Sequence, residues 1–150
     1  MLKSKVPPCV ISACLHTTLN GWTTARRFQQ DAPCLVCGGV YSSDALEHYA
    51  FCPKLQDFGR KLLRLDFTNW EFKDFLLARK WDARTIKAAL HIYCCYNTTN
   101  NLRYGHRVNA FWVYRQQWNN LQLRMRSNAG SQHSNTIIRA RSGARVVYMR

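Results

Sequence analysis

The chain has 150 residues, of which 47% are hydrophobic and 13% aromatic, and its formal net charge is +14. This apolar content excludes a wholly disordered chain, and the length fits one domain with a sizeable core. No apolar run approaches the roughly 20 residues of a membrane-spanning helix, so an integral membrane protein is excluded too, and the high charge indicates a polyanionic partner.

The first predicted helix begins at Pro7 and Pro8, which suit a first helical turn, and ends at Asn20-Gly21. Its apolar residues recur at helical spacing, and they are Val10, Ile11, Cys14, Leu15 and Leu19. Residues 22–28 predict a short second helix or turn. Residues 31–39 contain a proline and a glycine pair, and they predict a loop.

Capping residues predict where the next helices begin. Ser43 or Asp44 is expected to cap a helix that ends at Phe51, and Thr68 with Glu71 resembles a capping box for a later helix. Between these two caps, an amphipathic helix is predicted from the +3, +4, +3 spacing of its apolar residues, which are Leu55, Phe58, Leu62 and Leu65.

The C-terminal half predicts two longer helices. Asp82 is expected to cap a helix through about Asn97, with Ile86, Leu90 and Tyr93 inward. The clearest amphipathic stripe follows, and its members are Phe111, Tyr114, Trp118, Leu121 and Met125. No segment alternates apolar and polar residues strongly enough to predict a β-strand, so the expected fold is mainly α.

Four residues form the pattern C-x2-C-x10-H-x3-C, and they are Cys34, Cys37, His48 and Cys52. The first pair lies on the predicted loop, while the second pair is four residues apart on a predicted helix and leaves it on one face. Two ligands from a turn and two from a helix predict a tetrahedral site for one structural zinc ion, closed by four protein ligands, within segment 31–53.

The remaining cysteines leave other interpretations open. The seven cysteines are odd in number and badly spaced for a disulfide framework, which predicts reduced thiols in an intracellular compartment. The zinc pattern could instead be two unrelated buried cysteines and a core histidine. A second metal site from His91, Cys94 and Cys95 is a further alternative, and Cys9 and Cys14 are expected to be helix residues.

An enzymatic interpretation fails on its motifs. Residues 33–37 match the P-C-x-x-C half of a zinc deaminase, but the H-x-E half that must lie upstream is missing, because His16 is followed by two threonines. No P-loop, G-x-S-x-G or HExxH motif occurs either. The sequence therefore predicts a protein that is not an enzyme and has no small-molecule substrate.

The basic charge concentrates in the C-terminal part of the chain. Asp82 is the last acid, and the stretch from His91 to Arg150 has nine arginines and no lysine. Guanidinium groups donate paired hydrogen bonds to phosphates and stack on bases, which favours RNA as the partner. A basic surface that serves only solubility is the simpler alternative. The predicted nucleic-acid-binding residues are Arg26, Arg27, Arg103, Arg107, Arg115, Arg124, Arg126, Arg139, Arg141, Arg145 and Arg150.

These patterns predict two regions. Residues 1–126 are expected to form a small zinc-stabilised helical domain with a Cys-Cys-His-Cys knuckle. Residues 127–150 are expected to form a polar linker (127–135) followed by an extended arginine-rich arm that orders on RNA.

Several segments together resemble a known family. Residues 20–28 (NGWTTARRF), 34–38 (CLVCG), 44–52 (DALEHYAFC), 88–93 (AALHIY) and 101–106 (NLRYGH) are similar to the zinc-binding segment C-terminal to the reverse transcriptase domain of non-LTR retrotransposons. The form found in protist elements, dinoflagellate-type ones in particular, is the most similar. The resemblance covers roughly residues 15–118.

The resemblance implies a domesticated remnant that has lost the polymerase and endonuclease domains. The acid-free C-terminal part could hold no metal-dependent catalytic site. In the family, such segments are thought to grip template RNA or target DNA. The resemblance also implies that the N-terminal helix belongs to the fold and is not a targeting peptide, although its basic, acid-free character would suit mitochondrial import.

The leading functional prediction is a non-enzymatic, RNA-binding structural subunit of a large ribonucleoprotein, such as a mitochondrial ribosome. The alternatives are a retroelement-type nucleic-acid chaperone or DNA-binding regulator, and a protein-interaction module that uses the helix over 111–125. The expected partners are rRNA-like RNA and other proteins of the particle, with no membrane. The expected location is an intracellular, reducing compartment, with the mitochondrion favoured over the nucleus or cytosol.

Overall fold

The computed structural model describes residues 6–39, 42–77, 82–104 and 109–142, with side chains of the last segment described as far as Ser127. Within these residues the chain is mainly helical, as predicted, and its one strand-like feature is an isolated bridge between Pro33 and Ser43. The helices are α1 (Pro8–Thr18), α2 (Leu46–Phe51), α3 (Pro53–Leu63), α4 (Phe72–Phe75), α5 (Ala83–Arg103) and α6 (Ala110–Ser142), and a 3-10 turn is formed by Arg26–Phe28.

Helix α5 lies at the centre of the fold, in contact with α1, α3, α4 and α6. Every residue from Ala88 to Cys95 is buried, so the helix is enclosed on all sides and not on the predicted inward face alone. The predicted cap is confirmed, because the Asp82 carboxylate accepts a hydrogen bond from the Thr85 backbone N–H at 2.8 Å. The helix continues past its predicted end and stops at Arg103.

Helix α1 packs on α5 through small side chains. The Sγ of Cys14 lies 3.9 Å from the carbonyl oxygen of Ala89. The apolar residues of the predicted helix do not all face the core, since the side chains of Leu15 and Leu19 are 56% and 77% exposed. The backbones of α1 and α5 approach closely, so α1 turns a face with smaller side chains toward α5. The buried residues of α1 are Val10, Ala13, Cys14 and Thr17.

Two of the predicted helix caps are wrong. Helix α2 begins after Ala45 and has no side-chain cap, because the Asp44 carboxylate is used elsewhere. The capping box of α4 is formed by Glu71 and Asp74, three residues after the predicted pair that began at Thr68. Propensity alone does not distinguish these sites, since acids and hydroxyls also bond in turns.

One aromatic cluster surrounds Trp22, which is 1% exposed. Its ring lies 5.5 Å from Tyr49, 5.8 Å from Phe75 and 5.4 Å from Tyr96, measured between ring centroids. Its indole N–H donates to the hydroxyl of Thr17 at 2.9 Å. The segment predicted as a helix or turn is thus a buried tryptophan followed by the 3-10 turn, and it joins α1, α2, α4 and α5.

A second aromatic cluster joins α3, α5 and α6. Phe58 contacts Tyr114 at 5.5 Å between ring centroids, and the Tyr114 hydroxyl lies 2.6 Å from the Nδ1 of His91. The predicted stripe of α6 is confirmed, with Tyr114 and Leu121 fully buried and the others partly buried against the core. Leu65 is also buried, but it follows α3, because Arg64 ends that helix in the left-handed conformation.

The backbone of α6 remains helical to Ser142, so the prediction of a linker over residues 127–135 is wrong. The linker was predicted from polar composition, but this stretch has no proline, and a helix anchored by a packed stripe propagates at low cost. The predicted extended arm is therefore helical as far as Ser142. Residues 143–150 lie outside the described residues.

Candidate functional site

The four predicted ligands come together at one point. The ligand atoms of Cys34, Cys37, His48 and Cys52 all lie within 4.8 Å of one another, and together they could hold a metal ion. In the described part of the chain no other group of three or more such side chains has this property. Cys34 and Cys37 come from the loop before α2, His48 comes from α2, and Cys52 is the residue between α2 and α3.

The loop is shaped around the first two cysteines. The backbone N–H of Gly38 donates to the carbonyl oxygen of Cys34 at 2.9 Å, which closes the turn. Gly38 has φ +62°, a conformation that favours glycine. The backbone nitrogens of Val36 and Cys37 lie 3.4 and 3.5 Å from the Cys34 sulfur, so two backbone amides point at that sulfur.

The ligand atoms form two close pairs. The sulfurs of Cys34 and Cys52 are 4.0 Å apart, and the sulfur of Cys37 is 3.3 Å from the Nε2 of His48. The hydroxyl of Ser42 lies 3.2 Å from the Cys37 sulfur and donates to the carbonyl oxygen of Gly39. Three sulfurs and one imidazole nitrogen are ligands for a borderline or soft transition metal.

The protonation states of this centre suit a cation. Burial lowers the pKa of His48, which keeps its imidazole neutral and its lone pair free to bind. The adjacent Cys52 sulfur and burial raise the pKa of Cys34, while the hydrogen bond from Cys34 lowers the pKa of Cys52. One of these two thiols therefore loses its proton first, and a bound cation would favour the loss of both.

Asp44 makes a second group of polar contacts beside the metal centre, and no local pattern predicts them, since the residue reads only as a possible helix cap. Its carboxylate accepts hydrogen bonds from the backbone N–H of Ala25, the hydroxyl of Tyr49 and the guanidinium of Arg103. The ion pair with Arg103 spans 59 residues of sequence, and the Asp44 side chain is only 4% exposed. The metal-binding loop is thereby joined to the end of α5.

The alternative second metal site is not formed. His91 is fully buried, and its Nδ1 lies 2.6 Å from the hydroxyl of Tyr114. The sulfur of Cys95 is 3.4 Å from the Nε2 of His91, but Cys94 is not brought into a ligand group with them. Burial raises the pKa of Cys94 and Cys95, and that of Cys14 to about 12, so these thiols stay protonated and act as core residues.

The structure divides the predicted nucleic-acid-binding arginines. Arg103 is held in the ion pair with Asp44, and its side chain is only 20% exposed. Arg139 and Arg141 lie on α6 beyond the described side chains, and Arg107, Arg145 and Arg150 lie outside the described residues. Of the predicted set, the members that are exposed and form no ion pair with a described acid are Arg26, Arg27, Arg115, Arg124 and Arg126.

Comparisons with protein-family models, curated proteins and solved structures found no match to this chain. The resemblance to the retrotransposon zinc segment therefore stays a prediction. Within the described residues, no helix combines the length and the apolar character needed to cross a membrane.

Proposed function

We propose that this chain is a non-enzymatic, RNA-binding structural subunit of a large ribonucleoprotein, such as a mitochondrial ribosome, and that it folds around one structural zinc ion. The observation that carries the proposal is the set of exposed arginines on α6 that form no ion pair with a described acid, on a helix whose sequence contains no acid. The zinc ion would hold the loop and helices in place and would take no part in a reaction.

Zinc is supported by the ligand set and its spacing. Zinc bonds of about 2.3 Å to sulfur and 2.05 Å to nitrogen place two sulfurs of a tetrahedral site about 3.8 Å apart, and a sulfur and a nitrogen about 3.6 Å apart. The separations of 4.0 Å between Cys34 and Cys52 and of 3.3 Å between Cys37 and His48 are close to these values. Four protein ligands leave no open coordination position, which supports a structural role.

RNA as the partner is supported by the kind of cation that is exposed. Arg115, Arg124 and Arg126 lie on the same helix, where no carboxylate competes with an incoming phosphate. Arg26 and Arg27 precede Phe28, whose ring is 58% exposed, so the 3-10 turn also combines guanidinium groups with an aromatic face. Such groups contact phosphates and stack on unpaired bases.

Descent from a retroelement is part of the proposal. The segments that resemble the retrotransposon family contribute Trp22 to the core, Asp44 to the ion pair, and His48 and Cys52 to the metal centre. These segments therefore behave as one structural unit in this chain. A unit of this kind could continue to bind nucleic acid after the polymerase domain is lost.

A nucleic-acid chaperone or DNA-binding regulator is the second candidate, because the same exposed arginines would serve it. A protein-interaction module that presents the stripe of α6 is less well supported. Tyr114 and Leu121 are fully buried in the chain's own core, so that stripe already has its partner.

The proposal is tested by purifying the protein from its native source and sedimenting it through a gradient. A structural subunit should sediment with a large RNA-containing particle and leave it only at high salt. Recovery only in the light fractions, bound to short single strands with a steep salt dependence, would favour the chaperone. If the protein does not bind nucleic acid, or if its binding does not depend on salt, both the structural-subunit and the chaperone proposals are contradicted.

A further inference from the structure

A cleft opens at the beginning of α6. Its volume is about 420 Å³, and its lining includes Asn109, Phe111, Trp112 and Arg115. This size lies in the range of small-molecule pockets and accommodates a flat aromatic ligand. Neither Asn109 nor Trp112 belongs to the metal centre or to the predicted set of nucleic-acid contacts.

The cleft is built on fixed parts of the fold. The Asn109 side-chain oxygen accepts hydrogen bonds from the backbone nitrogens of Phe111 at 2.9 Å and Trp112 at 3.3 Å, which holds the first turn of α6. Phe111 is partly buried and packs against Phe58 of α3, with ring centroids 5.1 Å apart. One wall therefore rests on the core, and the cleft needs little rearrangement to receive a ligand.

Trp112 has no ring contact or side-chain hydrogen bond with another residue in the described part of the chain. Its side chain is 55% exposed, which leaves a large indole surface in water on a chain that buries its other described tryptophans far better. Arg115 lies three residues further along the same helix, is exposed, and forms no ion pair with a described acid. An aromatic face beside a free guanidinium matches a base and its phosphate.

The surroundings favour a nucleic acid over a protein segment. The outward face of α6 continues from the cleft through Gln116, Asn119, Leu123 and Arg126, with amides and arginine and no acid. A basic or neutral peptide would find no charge complement there, whereas a phosphate backbone would. Side-chain amides can also bond to the edge of a base.

We propose that this cleft binds one unpaired nucleobase of single-stranded RNA, stacked on the indole of Trp112, with Arg115 donating to the neighbouring phosphate. The inference rests on the proposed RNA-binding function and adds to it the form of RNA that is recognised. Unpaired bases are the form that exposes a π face for stacking, which a base within a duplex does not.

The test uses the full-length, metal-loaded protein and a short fluorescent oligouridylate, with an abasic oligomer of equal length and charge as the second probe. Trp112→Ala is expected to weaken binding to oligouridylate roughly tenfold and to leave binding to the abasic oligomer unchanged. Trp112→Phe should keep most of the affinity because it keeps an aromatic face. Leu15→Ala is the matched control, since Leu15 is 56% exposed on α1, does not line the cleft, and its loss should leave binding to both probes unchanged.

The outcomes separate the two proposals. Wild-type protein that binds neither probe overturns the proposed function together with the cleft. If Trp112→Ala leaves binding unchanged, or weakens it equally for both probes, the proposal of a base-binding cleft is overturned while the proposed RNA-binding function stands. This surface would then be assigned to a protein partner. Photocrosslinking of wild-type protein to a thiouridine-labelled oligomer is independent of how the variants fold. A crosslink at Trp112 or Arg115 is expected, and crosslinks confined to other segments would contradict the proposal.

Discussion

One guanidinium nitrogen of Arg103 donates to both carboxylate oxygens of Asp44, at 2.7 and 2.5 Å. Arg103 is the last residue of α5, and Asp44 lies in the loop that carries the first two metal ligands. The Asp44 side chain is 4% exposed, and Arg103 together with the hydrogen bonds from Tyr49 and Ala25 replaces the water that burial removes from its carboxylate. The ion pair thus connects the metal centre to the central helix.

Arg103→Met should destabilise the fold by about 3 kcal/mol, since removing one partner leaves a buried carboxylate without its counter-charge. The measurement is the free energy of unfolding in urea with the metal bound. Arg126→Met is the control, because Arg126 is exposed and forms no ion pair with a described acid, and its substitution should change stability by less than about 0.5 kcal/mol. Equal effects of the two substitutions would show that the ion pair contributes little.

Cys37→Ser should lose the metal and unfold the domain. Structural zinc in small domains supplies on the order of 10 kcal/mol of apparent folding free energy, which matches or exceeds the net stability of most domains. Metal content per chain and far-ultraviolet circular dichroism are the measurements. Cys9→Ser is the control, since Cys9 is partly buried outside the cluster and should keep one zinc ion. A metal-free Cys37→Ser variant with a native spectrum would refute the zinc site.

The stability of the protein should fall as the pH drops below about 6.5. Burial lowers the pKa of His91 from 6.5 to about 3, so the unfolded chain takes up a proton between these values while the native chain does not. Unfolding is thereby favoured by up to about 1.4 kcal/mol per pH unit across this window.

The variant His91→Gln isolates this effect, because every other titrating group is shared with the wild type. Its stability should depend less steeply on pH than that of the wild type between pH 6.5 and the point where metal content begins to fall. Parallel curves for the two proteins would mean that His91 does not remain neutral in the fold.

Gly59→Ala should destabilise α3. In most helix interiors this substitution has the opposite effect and stabilises the helix by up to about 1 kcal/mol. A Cβ at Gly59 would lie 2.9 Å from the Nδ1 of His91 and 2.9 Å from the Cζ of Phe67. Overpacking of this kind costs about 1–3 kcal/mol. The same substitution in a Phe67→Leu background should cost less, and an equal cost in both backgrounds would exclude the clash with the ring.

Replacing Arg139, Arg141 and Arg145 together by glutamine should weaken RNA association and leave the helical fold intact. For single-stranded RNA, three lost phosphate contacts should reduce the dependence of log affinity on log salt by about two. Replacing Lys61 and Lys73 is the control, because both already pair with acids. Unchanged affinity and slope in the triple variant would remove these arginines from the interface.

The metal ligands could be predicted because their pattern is local. Cys34 and Cys37 share one turn, and His48 and Cys52 are separated by about one helical turn, so backbone geometry sets each pair. The caps at Asp44 and Thr68 were wrong for the opposite reason. An acid or hydroxyl before an apolar run has several local partners, and only the folded chain selects among them.

Short-range periodicity was thus sufficient for the helical class, the stripe of α6 and the cysteine–histidine centre, because 3.6-residue geometry and ligand spacing act over a few residues. Pairings between distant segments arise only in the tertiary structure. Asp44 meets Arg103, and His91 meets Tyr114, because α5 is enclosed by its neighbours. The exposed Trp112 likewise results from packing, since whether an aromatic residue of α6 faces the core or solvent depends on where α3 and α5 lie.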